Sequence, residues 1–456
     1  MTCTQRQGKT LHGLDRIREA AKRDKKTRFT ALMHHITIEH LRKSYIGLNR
    51  NAVSGVDDVT WRQYGEDLEK RLANLHERIH NGTYRAKPSK RIYVPKPDGR
   101  QRPIGIAALE DKIAEMAVVT ILNRIYEEEF LGFSYGFRPE RSPHRALDAI
   151  YVGITKRKVN WVLEVDIRSF FDNLDHGWLL KFLGHHIADS RILRLIRKWL
   201  RAGVSEEGQW SPTTKGTPQG SVISPLLANI YLHYVFDLWV DKWRKTEAGG
   251  EIVVVRYADD FVMGFQHKEE ATRFQGELEE RLATFGLEIN HDKTRLIEFG
   301  RFAESNRKER GESKPETFEF LGFTHICSKN PKTGYFMIRR KISGKRMRRK
   351  IKEVGKTLRK WMHEPIREQG QWLRSVVQGY FNYFAVPGNR SSLDEFRTEV
   401  NKAWFRILRK RSQKARKLTW EKFKKHVKDW IPTAKVLHPH PWQRLCVTTG
   451  GKSPVQ

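Results

Sequence analysis

The stretch EIVVVRYADDFVMGF, residues 251–265, places two apolar, β-prone runs on either side of two adjacent acids. Val, Ile, Phe and Tyr favour strands, so the segment predicts a hairpin with Asp259 and Asp260 at its tip. Two like charges there repel, and the repulsion costs stability unless a cation offsets it. A merely polar turn is the plain alternative, because Asp is common in turns.

The chain around this hairpin is strongly basic. Lys and Arg number 86 against 53 Asp and Glu, a formal charge of +33 over 456 residues. An excess of that size points to a polyanionic partner, for which a phosphate backbone is the usual source. A membrane surface competes poorly, since no long apolar run could span or anchor. The N-terminus carries no export signal, and Cys3, Cys327 and Cys446 are too far apart for a disulfide framework or a zinc knuckle; a reducing cytoplasm fits.

The length predicts two or three domains. Residues 29–75 read as helical with one interruption, SKRIYVPKPDGRQRPIGI as a hairpin, and LEDKIAEMAVVTILNRIYEEEF as a helix. NWVLEVDIRSFFDNL begins as a strand, SPLLANIYLHYVFDLWVDKWRK is helical, and EEATRFQGELEERLATFGLEI reads as a helix followed by a strand. Strands and helices alternate without a regular βαβ repeat, which favours an α+β arrangement with a mixed or antiparallel sheet. Twelve of the twenty-two residues 339–360 are Lys or Arg, and a helical, aromatic-rich pattern follows to about residue 430. A charge run is usually a solvated helix face, whereas the interleaved aromatics favour stacking on bases. The final segment, rich in Pro and Gly, reads as irregular.

Asp166 ends the apolar run WVLEV much as Asp259 ends IVVVRYA. Three carboxylates from two strand ends, with the surrounding positive charge, favour a Mg²⁺ site for phosphoryl or nucleotidyl transfer over a bare turn. Asp172 and Asp175 lie in the turn after Asp166 and suit solvated or capping roles.

These blocks and their order resemble the bacterial group II intron reverse transcriptase/maturase family. RYADDF resembles its catalytic hairpin, VDIRSFFDNLDH the strand carrying the first catalytic Asp, and KGTPQGSVISPLLANIYL the motif beneath the templating pair and incoming nucleotide. YVPKPDGRQRPIGI resembles the fingers hairpin and SYGFRPERSPHRAL the element after it. GLEINHDKTRLIEFG and FEFLGF resemble the last palm and thumb-side motifs, and WLRSVVQGYFNYFAVPG the maturase domain. The resemblance covers about residues 40–326 and implies a right-hand polymerase, fingers and palm with an antiparallel sheet, followed by a basic α-helical thumb/maturase domain. The corresponding division is an N-terminal helical extension (1–60), fingers and palm (61–326), thumb/maturase (327–430) and a basic tail (431–456).

The resemblance further implies that Asp166, Asp259 and Asp260 hold two Mg²⁺ ions, with Mn²⁺ a possible substitute, and that the Ile167 carbonyl completes a metal shell. Phe171 would exclude a ribose 2′-hydroxyl, against core packing as the alternative. Lys96 and Arg102 would meet the triphosphate, Gln219 and Gly220 the incoming nucleotide, and Lys293 the leaving pyrophosphate. Tyr257 would pack on the primer end, or serve as a sheet aromatic. Arg138 and Arg141 would meet template phosphates, against a helix-entry salt bridge as the alternative. Implied partners are group II intron RNA, an RNA template, a DNA primer, target DNA and dNTPs.

Ser221 stands where many relatives have Gly, and Ala107 where many have Pro. HPHPWQRLC holds too few Cys and His for the family's endonuclease module. A domesticated relative serving host defence or repair, and a maturase with little polymerase role, are the competing readings.

Overall fold

A computed structural model describes residues 3–95, 101–427 and 430–449. In chain order its strands are β1 (Ser89–Pro95), β2 (Gln101–Ile106), β3 (Trp161–Asp166), β4 (Val204–Glu206), β5 (Gln209–Ser211), β6 (Ile252–Tyr257), β7 (Asp260–Phe265), β8 (Arg295–Glu298), β9 (Phe318–Phe320), β10 (Phe323–Lys329) and β11 (Phe336–Ile342). They form three sheets, ordered β2-β1-β4-β5, β6-β7-β3-β8 and β11-β10-β9. All pairings are antiparallel except a two-residue parallel contact between β1 and β4. The architecture is α+β, as expected.

The sheet β6-β7-β3-β8 is covered on both faces, which explains why its strands read as continuous apolar runs rather than alternating ones. Leu163, Val165, Val254, Phe261, Met263 and Phe265 point into one core with helices Leu109–Tyr126, Ser224–Leu232 and Lys268–Thr284. Val162, Val253, Val255, Val262 and Ile297 point into the other. Helix Pro143–Lys156 packs on that second face, with helices Ile366–Phe384 and Arg390–Arg409 in the same core.

Two sequence expectations differ from the observed elements. After helix Lys268–Thr284 no strand follows directly: the β3 edge from Trp161 to Glu164 pairs with β8. Residues around Ile289 make only an isolated bridge to Ile167, and the Asn290 N–H turns back to the Asp166 carbonyl at 2.8 Å. The tail is also more regular than its composition suggests. Helix Pro441–Thr449 starts on a proline, well suited to a first helical position. It docks on helix Pro143–Lys156, where Arg444 pairs with Asp148 and Leu445 is buried.

Candidate active site

β6 and β7 form the expected hairpin, with Tyr257 opposite Asp260 and Asp166 of β3 opposite Asp260 on the other side. Ala258 takes the turn with φ 57°, a left-handed backbone that costs a non-glycine residue energy unless neighbours hold it. They do. Arg256, with no exposed surface, donates to the Ala258 carbonyl at 3.0 Å, to Asn229 Oδ1 at 3.1 Å, to Ser134 Oγ at 2.8 Å and to Asp237 Oδ1 at 2.7 Å. Gly136 lies so close that an added Cβ would come 2.3 Å from the Ala258 nitrogen, so only glycine fits there. Asn229 ties Gly136 in by donating to its carbonyl at 2.7 Å.

The three acids meet beside this turn. Burial, then repulsion from Asp259, Glu164 and Asp166, holds the Asp260 carboxyl well above the usual carboxylate range. Burial and Asp166 likewise raise Asp259, opposed by Arg102 and Lys293. Asp166 is held by Asn290 Nδ2 at 3.1 Å and by the Lys293 ammonium at 3.0 Å and 3.1 Å from its two oxygens. Among the described residues no three acidic, imidazole or thiolate side chains already close on one metal-sized point. The donor set nevertheless fits hard divalent cations: carboxylates crowded enough to repel, with a lysine supplying the missing positive charge. Ile167 is buried beside them.

Phe171, Pro103, Gly105 and Gln219 line a cleft of about 420 Å³. Phe170 is core and Phe171 only partly buried, their rings edge-on at 5.4 Å between centroids. Gly220, at φ 125°, lies where a Cβ would come 2.8 Å from the Gly105 carbonyl oxygen, so the close approach expected of this glycine is to the β2 backbone. Arg102 is exposed on β2, opposite Val94. Lys96 lies outside the described residues.

The Arg138 side chain turns into the protein interior. It is buried and bonded to Glu127 at 3.0 Å and to the Leu131 and Ser134 carbonyls at 2.8 Å, leaving the guanidinium engaged inside the protein. The salt-bridge alternative describes it. Arg141 is partly buried, stacked over Tyr135 at 5.2 Å and bonded to the Gly132 carbonyl at 3.2 Å. Tyr257 is partly buried, 6.3 Å from the exposed Phe137 between ring centroids. Asp175 caps helix His176–Leu183 by accepting from Trp178 N–H at 2.7 Å.

Glu164, Asn290, Arg256 and Asp237 were not singled out by sequence reasoning. The available signal was a charged or amide residue interrupting an otherwise apolar element, as Arg256 does in IVVVRY and Asp237 in HYVFD.

Two basic surfaces accompany the site. Lys345, Arg346 and Arg349, from the start of helix Gly344–Lys360, line a cleft of about 460 Å³ with Asp166, Asp260 and Lys293. Farther away, helices Arg390–Arg409 and Trp420–Val427 flank a groove of about 900 Å³ lined by Lys402, Arg406, Arg409 and Lys424 with Phe405 and Trp420. Trp404, Phe381, Phe384 and Phe423 are core, which sorts these aromatics between packing and surface.

The sequence pattern described as reverse transcriptase (RNA-dependent DNA polymerase) matches residues 94–325. Protein YkfC of Escherichia coli (strain K12) is 35% identical over 277 residues, 53% of this chain and 71% of that protein. The group II intron-encoded protein LtrA of Lactococcus lactis subsp. cremoris is 37% identical over 232 residues, 49% of this chain and 37% of LtrA. A 91 kDa protein in the cob intron of Schizosaccharomyces pombe is 28% identical over 393 residues, 71% of this chain and 46% of that protein. The chain therefore spans less than half the length of these two intron proteins. With the family pattern matched over half of its length, the chain belongs to the reverse transcriptase (RNA-dependent DNA polymerase) family, with a group II intron-encoded protein among its relatives.

Proposed function

We propose that the protein copies an RNA template into DNA from a DNA primer, using dNTPs, and that it binds group II-type intron RNA to assist splicing and retrohoming by target-primed synthesis. The observation that carries this reading is the pairing of Asp166 with Asp260 across β3 and β7, with Asp259 beside them at a clamped turn. In a polymerase hand, β1–β2 belong to the fingers, β3 and β6–β8 to the palm, and the helices after residue 342 to the thumb and maturase region.

Asp166, Asp259 and Asp260 would hold two Mg²⁺ ions. Such ions supply positive charge that lowers the pKa of a primer 3′-hydroxyl and neutralises the triphosphate. Lys293 balances Asp166 meanwhile and stands ready to meet the departing pyrophosphate. Arg102 brings charge to the triphosphate, Gln219 and Gly220 shape the nucleotide seat, and Phe171 fills the space a ribose 2′-hydroxyl would need. Lys345, Arg346 and Arg349 suit the backbone of the primer–template, and the groove at Phe405 and Trp420 suits RNA.

Primer extension on an RNA template with Mg²⁺ and dNTPs tests the reading directly. Wild-type extension that disappears in Asp259→Ala supports it. Splicing assistance without any wild-type extension would replace it with a purely RNA-binding role.

A further inference from the structure

Glu115 is a carboxylate inside the protein with no place in the chemistry above. It lies on helix Leu109–Tyr126, is 3% exposed, and faces the loop that follows Gln219 and Gly220. Its Oε2 accepts from Ser221 Oγ at 2.9 Å and from Val222 N–H at 2.8 Å. The loop is held from its other side as well: the Gln219 carbonyl accepts from Gly105 N–H at 2.9 Å, and the Thr217 and Ser224 hydroxyls bond each other at 2.5 Å. One carboxylate oxygen thus fixes the two residues immediately after the nucleotide seat.

The surroundings make this contact sensitive to charge. Burial first, then Asp111, push the Glu115 carboxyl up to about 7, opposed by its bonds to Ser221, Val222 and Ile223. Asp111, one turn earlier, is itself raised to about 6 by burial, and it accepts from Tyr84 and from Lys87 N–H at 3.0 Å. Lys112, whose ammonium donates to the Val53 carbonyl at 3.1 Å, is the nearby cation on the same helix. A charged Glu115 offers acceptors to two donors. A protonated one brings a donor of its own against them, and the pairing weakens.

We propose that Glu115 is a positioning residue for the incoming nucleotide, holding Ser221 and Val222 so that Gln219 and Gly220 stand at the right depth in the cleft. The inference rests on the nucleotide reading of that cleft. It also gives a role to Ser221: its hydroxyl is a handle for the buried acid.

The test is steady-state extension on a fixed RNA template and DNA primer, comparing wild type with Ser221→Ala, Ser221→Gly and the near-isosteric Glu115→Gln. At pH 8 each variant raises KM for dNTP several-fold, leaves kcat within about twofold, and leaves primer–template Kd unchanged. Glu115→Gln carries a neutral amide at every pH, so its KM relative to wild type falls toward one as pH drops from 8 to 6. That ratio cancels the titration of the nucleotide itself. Variants with wild-type KM at pH 8, or a ratio that does not move with pH, overturn the inference while extension continues. A wild type that incorporates no dNTP overturns the nucleotide reading and this inference with it, and the two failures are told apart by that activity alone.

Discussion

Arg256 and Asp237, neither with any exposed surface, form an ion pair with a 2.7 Å contact directly behind the Asp259–Asp260 turn. The same guanidinium donates to the carbonyl of Ala258, the residue with the left-handed backbone. The pair therefore couples the stability of the interior to the shape of the acidic hairpin.

Removing one partner leaves a buried charge unmatched. Asp237→Ala is expected to cost about 3–5 kcal/mol of stability. Chemical denaturation measures this, and a loss below about 1 kcal/mol would contradict it. Replacing both residues by apolar ones of similar size should recover much of the stability without restoring the turn, so extension stays low.

The acids themselves should behave as a unit. Asp260→Asn removes charge where several kcal/mol of metal-assisted stabilisation is expected, about a thousandfold in extension rate. Chelation by EDTA should abolish extension, with recovery on excess Mg²⁺. Extension that persists in EDTA would refute the metal reading.

Phe171→Val opens the floor of the cleft. Incorporation of ribonucleotides relative to deoxynucleotides should rise about tenfold to a hundredfold, read from kcat/KM for each. An unchanged ratio would return Phe171 to simple packing.

Much of this site was legible in the sequence because its residue types are chemically demanding. The apolar runs that end at Asp166 and flank the Asp259–Asp260 pair mark strands, and β3, β6 and β7 lie where those runs placed them. Arg138 was misplaced because a basic residue between turns looks the same whether it meets solvent or Glu127; only the fold brings those two together. Helix Pro441–Thr449 was hidden by its Pro-rich approach, and the Asp148 that receives Arg444 lies about three hundred residues earlier. Glu115 gave no signal, since an acid on a helix that already carries Glu110 and Asp111 reads as a surface residue until the loop at Ser221 covers it.

Acid should destabilise the fold. Burial pushes His325 down to about 3, and His35, His144 and His233 down to about 4. Folding thus favours their neutral rings, a contribution complete above about pH 6.5 and lost as pH falls through the folded values. Asp111 and Glu115 act oppositely: raised to about 6 and about 7, they contribute most at low pH and lose that contribution as pH rises through those values. Burial also lowers His40, His76, His185, His438 and His440 and raises Asp148, Glu164, Asp259 and Asp260, so nine lowered imidazoles stand against six raised carboxyls and the denaturation midpoint should fall from pH 6.5 to 4.5. A midpoint that rises on acidification would contradict this balance.

RNA affinity should depend steeply on salt. Arg406→Ala and Lys424→Ala, on the two sides of the aromatic groove, should each flatten the slope of log K against log salt by about 0.7 for single strands. Phe405→Ala should weaken binding by about 1–3 kcal/mol at all salt concentrations. Filter binding across a salt series separates the two effects, and unaltered binding by all three variants would move RNA to another surface.

The β6-β7-β3-β8 sheet works as a party wall between two cores, with alternate residues of each strand belonging to different neighbours. Valines of the catalytic-candidate strands are thus also part of the foundation on which the C-terminal helices stand. The boundary of the family match at residue 325 falls inside β10, whose partners β9 and β11 lie on either side of it. Cutting there would strip a sheet of a strand and lay bare one side of the wall. The C-terminal helices and the strands that carry the acids are consequently joined through one sheet: a substitution at Val253 or Val262 is a change to both.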